Sequence, residues 1–150
     1  MYEGRALSVH RHHAAQLAIG QSTSVCVPSA SRYVPTGVVL KRGAKYVITA
    51  DKSHWQDWKL DSDADGRDRP TFVQSMAQWA LRCKSGRWFQ LIGAVGRSNE
   101  HFFPVGKHLQ WTYEGQGSSR DVELNLFAND AWFAYWNNRG EVNVTITRVA

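Results

Sequence analysis

The sequence predicts an all-β chain, an antiparallel β-sandwich folded as a single domain, and three observations carry that expectation. Short runs rich in Val, Ile, Thr and Leu are separated by clusters of Gly, Asn, Asp and Ser, the punctuation of strands and turns. Two runs near the C-terminus alternate apolar and polar residues, as a strand with one covered face requires. No strand pattern alternates with long helical ones, which speaks against a parallel sheet with crossover helices. A length of 150 residues with 43% hydrophobic side chains suits one compact core without disulfide or metal staples.

Residues 1–21 mix Ala, His, Gln and Gly with little periodicity and are expected to be a solvated leader, so the domain proper is set at 22–150. The leader's His10, His12 and His13 are read as solvated rather than as metal ligands. "TGVVLKRGAKYVITA" (36–50) holds two β-branched runs about Arg42-Gly43, giving strands near 36–41 and 45–50 joined by a hairpin or tight turn. "DSDADG" (61–66) begins like a calcium-binding EF-hand loop, but position twelve is Phe72 where a Glu belongs, and a polar turn is the better reading. Helical spacing of Phe72, Met76, Trp79 and Cys83 makes 71–83 the one candidate helix, although "WALRC" also alternates like a strand. "FQLIGAVG" (89–96) is a continuous apolar run too short for a helix and fits a strand covered on both faces. In "DVELNLFA" (121–128) Val122, Leu124 and Leu126 share a face opposite Glu123 and Asn125. "EVNVTITRV" (141–149) puts Val142, Val144 and Ile146 inward, with Asn143, Thr145 and Thr147 outward.

Charge and cysteine narrow the function. Eighteen Lys and Arg against thirteen Asp and Glu give a net +5, but the basic residues are scattered, with no run and no nucleic-acid motif. Nucleic acid is therefore not expected as a partner. Cys26 and Cys83 lack zinc-ligand spacing and are read as unbridged thiols. No stretch reaches the roughly 20 apolar residues of a membrane span, and no signal-peptide apolar core follows Arg5, so neither insertion nor a route of export is legible.

Between the two alternating runs lies "NDAWFAYWNN" (129–138), four aromatic rings flanked by side chains that offer hard oxygens. Asp130, Asn137 and Asn138 form turns readily and strands poorly, so the stretch is a loop. Calcium takes about six to eight oxygens and mixes carboxylates with amide and backbone carbonyls. Asp130, Asn137 and Asn138, with a carbonyl such as that of Ala134, suit it. With one carboxylate the ion would stay cationic and open to the vicinal hydroxyls of a sugar, and Trp132, Phe133 and Trp136 would be placed to stack on a pyranose ring.

The order and spacing of "ND-AWFAYW-NNRG-EVNVTI" resembles the soluble calcium-dependent galactophilic bacterial lectins of the LecA-like family, which carry Asn-Asp, a short loop with a Tyr, then Asn-Asn-x-Gly and an alternating final strand. "TGVVLKRGAKYVITA", "HWQDW" and "LIGAVG" look like the family's earlier strands, so the likeness covers roughly residues 22–149. The resemblance implies a small jelly-roll or galactose-binding-domain-like sandwich that tends to form homo-oligomers. It implies calcium held by the side chains of Asp130, Asn137 and Asn138 and the carbonyls of Ala134 and Trp58. A galactose-type glycan would then lie against Asp130, Ala131, Asn137, Trp132, Phe133 and Arg69. The family adds a His and a Gln before its central strand; in "GRDRPTF" those places look like Arg69 and Phe72, a departure that points to acidic or apolar substituents on the sugar.

An enzyme is not expected. Asp61, Asp63, Asp65 and Asp68 sit in one turn with no sign of the burial that would shift their acidity, and nucleophile-elbow, HExxH and phosphate-loop motifs are missing. The standing alternative is a calcium-stabilised interaction domain, whose aromatic loop meets a protein or another copy of the chain and binds no sugar.

Overall fold

The computed structural model describes residues 14–57, 60–67, 71–97, 99–116 and 122–150. In chain order the elements are β1 (Ser22–Pro28), β2 (Val34–Leu40), β3 (Lys45–Ala50), β4 (Trp55–Asp57), β5 (Leu60–Ser62), α1 (Phe72–Met76), β6 (Leu91–Val95), β7 (Phe102–Pro104), β8 (His108–Thr112), β9 (Val122–Ala128) and β10 (Asn138–Arg148). Short 3₁₀ turns occupy Gln78–Ala80 and Tyr135–Asn137. Every strand pairing is antiparallel, and the strands form two sheets. One runs β5-β4-β10-β3-β8 with β1 also on β10; the other runs β2-β9-β6-β7. The fold is the expected β-sandwich.

β10 is the spine of the larger sheet. Its first residues pair with β4, Asn138 opposite Asp57 and Gly140 opposite Trp55, and its later ones with β3 and β1. Val142, Val144 and Ile146 are fully buried, while Asn143 and Thr145 face solvent, as their alternation requires. They meet Tyr46, Ile48, Leu91, Leu124 and Leu126 in the main core between the sheets. Burying such side chains supplies roughly 1.5–3 kcal/mol each, the dominant favourable contribution to this fold.

β6 is buried at every position, as a strand covered on both faces must be. β9 differs from its expected half-buried pattern: Asn125 and Phe127 are as buried as Leu124 and Leu126. A second layer of side chains explains this. Tyr33, Cys83 and Phe102 close over Phe127 and Ile92, giving the outer face of the smaller sheet its own apolar cluster. The turn at Arg42-Gly43 is tight, with Ala44 N–H donating to the Lys41 carbonyl, but it joins no hairpin. β2 pairs with β9 and β3 with β10, so the turn carries the chain from one sheet to the other.

Three further expectations meet the structure here. The described part of the leader is largely exposed but touches the sandwich at two points: Ala15 bridges Val38, and Leu17 enters the main core. Cys26 and Cys83 are free thiols. The 71–83 segment is not one helix, because the chain breaks after five residues, passes through a 3₁₀ turn and goes extended at Leu81, which bridges Ala131. Its helical stripe is therefore not a core face: Phe72, Met76 and Trp79 are exposed and only Cys83 is buried.

Gly140, the glycine of Asn-Asn-x-Gly, sits at φ 84°, and a Cβ there would lie 2.9 Å from the His54 carbonyl oxygen and 3.0 Å from Trp55 Cα. Gly43 has a similar φ of 82° with nothing nearby. Gly43→Ala should cost about 1 kcal/mol, the left-handed penalty alone. Gly140→Ala should cost several times as much, because β4 must also move away from β10. Denaturant unfolding of the two variants checks this; equal costs would contradict the close approach.

Candidate functional site

The loop between β9 and β10 is held from beneath before it presents anything. Asn129 is fully buried; its amide donates to the carbonyls of Cys83 and Arg87 at 3.0 Å each and accepts from Cys83 N–H at 3.0 Å. The first residue of the Asn-Asp pair is thus a strut to the 83–87 loop. Further along, Tyr135 is buried and donates to the Ala128 carbonyl at 2.6 Å, while Arg82 donates to the Tyr135 hydroxyl at 2.9 Å. Its ring folds the loop back on its own start. Arg82 N–H to the Asp130 carbonyl and Trp132 N–H to the Ala80 carbonyl add a short ladder beside the Leu81–Ala131 bridge.

That frame brings Asp130, Asn137 and Asn138 together. Asp130 is 1% exposed; one carboxylate oxygen accepts from Ala131 N–H at 2.7 Å and the other from Asn138 Nδ2 at 2.9 Å. Asn138 also donates to the Ser29 carbonyl at 3.0 Å, so two acceptors fix which way its amide points. Its Oδ1 then faces the other way, buried and without a donor. Asn137 Oδ1 is likewise buried with no partner. A buried acceptor left unpaired costs about 1–3 kcal/mol, and here two sit on adjacent residues, one of them bonded to the buried Asp130.

A second carboxylate stands close by. Asp57, at the end of β4 and paired with Asn138, is half-buried, and its charge reaches Asp130. Burial pushes the Asp57 carboxyl above its ordinary range, and the nearby amides of Gln74 and Asn137 partly offset that. Burial likewise pushes Asp130 up to about 6; the Asn138 bond holds it back and the charge of Asp57 raises it further. Two carboxyls whose ionisation burial disfavours thus stand at the same end of β10 as two amide oxygens with no donor.

Gln74 is the residue that sequence reasoning missed. Phe72 had been placed where the family has an amide, yet Phe72 is 80% exposed and Gln74 is 4% exposed. The cause is a capping box: Gln74 N–H donates to the Thr71 hydroxyl and Thr71 N–H to Gln74 Oε1, which turns the Gln74 side chain inward. The signal was present as T-x-x-Q. Gln74 Nε2 faces Asp57 without closing a hydrogen bond, so a buried donor remains unused at the edge of the cluster.

The other expected site residues scatter around this centre. Ala134 opens the 3₁₀ turn at 135–137. Ala131 is buried in a small cluster with Ala80, Leu81 and Trp88, and its N–H is committed to Asp130. Trp132, Phe133 and Trp136 are 54%, 44% and 84% exposed, so the rings rim the loop instead of plugging it. Trp58 and Arg69 lie outside the described residues. The acidic turn at 61–66 is occupied elsewhere: Lys107 pairs with Asp63 at 2.8 Å, and its N–H donates to Asp65 at 2.7 Å. No group of three or more His, Cys, Asp or Glu side chains among the described residues could hold a metal ion by itself, so any cation here depends on amide and backbone oxygens.

No protein-family model matches the chain, and neither does any curated protein. Among solved structures it is similar to one described as the EclA N-terminal domain, a PllA-like lectin, with a TM-score of 0.58 and 25% identity over 83% of this chain and 94% of that one. That neighbour is described as a lectin, and the likeness fits the sandwich seen here.

A pH dependence follows from Asp130. Its folded pKa of about 6 exceeds its ordinary 3.8, so in metal-free protein its contribution is most favourable below the ordinary value and is lost as pH rises towards the folded one. The loss is on the order of 3 kcal/mol when complete. Asp51 and Asp63, whose carboxyls are held down, act in the opposite sense. The informative quantity is therefore the stability difference between Asp130→Asn and wild type in chelator. It should move in favour of the variant between about pH 4 and pH 7; a difference that stays flat would contradict the burial of that charge.

Proposed function

We propose that the protein is a lectin that binds carbohydrate through calcium held in the 129–138 loop. The observation that carries this reading is the pair of buried, donor-free amide oxygens on the adjacent residues Asn137 and Asn138, the second of which bonds the Asp130 carboxylate through its Nδ2. Calcium would be held by these three side chains and by the backbone carbonyls of Ala134 and Trp58, with Asp57 adding negative charge. When bound, the ion would supply open positions for two neighbouring sugar hydroxyls, which galactose-type glycans provide. Asp130 and Asn137 would accept hydrogen bonds from those hydroxyls. Gln74 Nε2 is the donor best placed for a further one, and Trp132 and Phe133 offer exposed ring faces to the apolar side of the sugar.

A second reading keeps calcium and drops the sugar. α1, the 3₁₀ turn after it and the site loop expose Phe72, Val73, Met76, Trp79, Trp132, Phe133 and Trp136, with the ring centroids of Trp79 and Phe133 6.2 Å apart. Grouped apolar residues of this size also mark protein interfaces. A homo-oligomer formed through this face would compete with sugar for it.

Calcium should raise the melting temperature by roughly 5–10 °C at a hundredfold excess over its Kd, the equivalent of about 2.7 kcal/mol. Equal melts in chelator and in calcium, starting from metal-free protein, would refute the ion. A glycan array run in both conditions separates the two readings. The lectin reading expects galactose-type signals that the chelator abolishes; calcium-stabilised protein with no glycan signal favours the interaction domain. Gln74→Ala should weaken galactose about tenfold, the loss of one hydrogen bond in a dry site, while leaving calcium stabilisation intact.

A further inference from the structure

On the far side of the Leu81–Ala131 bridge lies a cavity of about 390 Å³, the size of a small-ligand site, which none of the loop oxygens enters. Its lining has an uncommon character. Three cations converge on it, Arg32, Arg82 and Lys84, and no carboxylate lines it. Elsewhere on this surface the chain pairs its charges, as Lys107 does with Asp63. Here the described residues leave all three cations without an acid.

Arg82 is the centre of this arrangement. Its guanidinium lies 3.7 Å from the ring centroid of Phe127, 4.7 Å from that of Tyr33 and 5.4 Å from that of Phe102. Nη1 donates to the Arg32 carbonyl at 2.7 Å and to Tyr135, whereas Nη2 is buried with no partner. Its charge is thus taken partly out of water and met by ring faces and neutral acceptors, with no carboxylate among the cavity's lining residues. Lys84 donates to the carbonyls of Gln78 and Trp79, both neutral, and keeps its full charge. Arg32 is exposed, with its guanidinium 5.9 Å from the ring centroid of Tyr135. Trp79 and Trp132, 71% and 54% exposed, line the same cavity and add aromatic surface to it.

We propose that this cavity is a second ligand site and takes an acidic pyranose, a sugar residue bearing a carboxylate or sulfate ester. The proposal rests on the carbohydrate-binding reading above. The cations receive the anionic group through charge-assisted hydrogen bonds, and a Trp face covers the apolar side of the ring. Trp132 belongs to both the calcium loop and this cavity, so a branched or extended glycan could span the two, its neutral sugar at the loop and its acidic sugar here.

The test is calorimetry in chelator, which silences the loop site, with N-acetylneuraminic acid, galactose 6-sulfate, galactose and sodium sulfate as probes. Both acidic sugars should bind, galactose should not, and added salt should weaken the binding. Arg32→Ala, which keeps the main-chain carbonyl that Arg82 uses, should weaken the acidic sugars about tenfold, and adding Lys84→Gln should weaken them further. Melting curves confirm that the variants fold. Acidic sugars that bind no better than galactose, or that ignore both substitutions, overturn the proposal. Sulfate alone binding as tightly as the sugars overturns its saccharide part. Galactose measured in calcium reads the first site separately: its failure with acidic sugars still bound refutes the calcium reading, and the reverse refutes only this one.

Discussion

The structure turns on a charge that the chain buries and does not neutralise. Asp130 is covered by protein, feels the charge of Asp57, and is bonded by Asn138, whose own amide oxygen, like that of Asn137, is buried and receives no hydrogen bond. The buried charge, its neighbour and the unpaired oxygens are each unfavourable alone, and a folded domain has only about 5–15 kcal/mol of net stability to set against them. They persist because the loop cannot relax. Asn129 fastens its start to the 83–87 loop, Tyr135 ties its middle to Ala128 and Arg82, and Gly140 brings β10 against β4 where no side chain would fit.

Other parts of the fold gain meaning from this arrangement. Trp55, fully buried, donates to the carbonyl of Phe89 at 3.0 Å, and Phe89 N–H donates to the carbonyl of Asn129 at 2.7 Å. Phe89 is the one described non-glycine residue with positive φ, at 62°, a conformation a bulky side chain adopts only when its surroundings impose it. Those bonds impose it, and they connect β4, which carries Asp57, to the root of the loop that carries Asp130. Both carboxyls are thus set by one chain of contacts. The exposed rings of Trp132, Phe133 and Trp136 stand outside it, which suits residues whose partner comes from solution.

The strands were legible because their signals are local. Alternation in β10 and the unbroken apolar run of β6 follow directly from which faces are covered, and both emerged at their expected places. Asp130, Asn137 and Asn138 were singled out by their oxygen chemistry and by the resemblance of the loop, and the fold does bond Asn138 to Asp130. What was hidden depends on contacts between distant segments. Nothing near Asn125 or Phe127 announces that Tyr33 and Phe102 cover the outer face of β9, and nothing in Arg42-Gly43 says that β2 and β3 pair with different strands. The apolar stripe of 71–83 misled for a related reason. Leu81 is drawn into the bridge with Ala131, which breaks the helix and leaves Phe72, Met76 and Trp79 in solvent. Gln74 was readable from its capping box, yet its nearness to Asp57 was not.

Terbium titration tests the central claim most directly, because that ion takes calcium's oxygen ligands and emits when a nearby excited tryptophan transfers energy to it. Trp132 and Trp136 lie in the same loop as Asp130, Asn137 and Asn138. The account predicts saturable terbium emission on tryptophan excitation that calcium displaces, that Asp130→Ala abolishes, and that Asp63→Ala leaves unchanged. Emission that survives Asp130→Ala, or wild-type protein that sensitises no terbium, would contradict it.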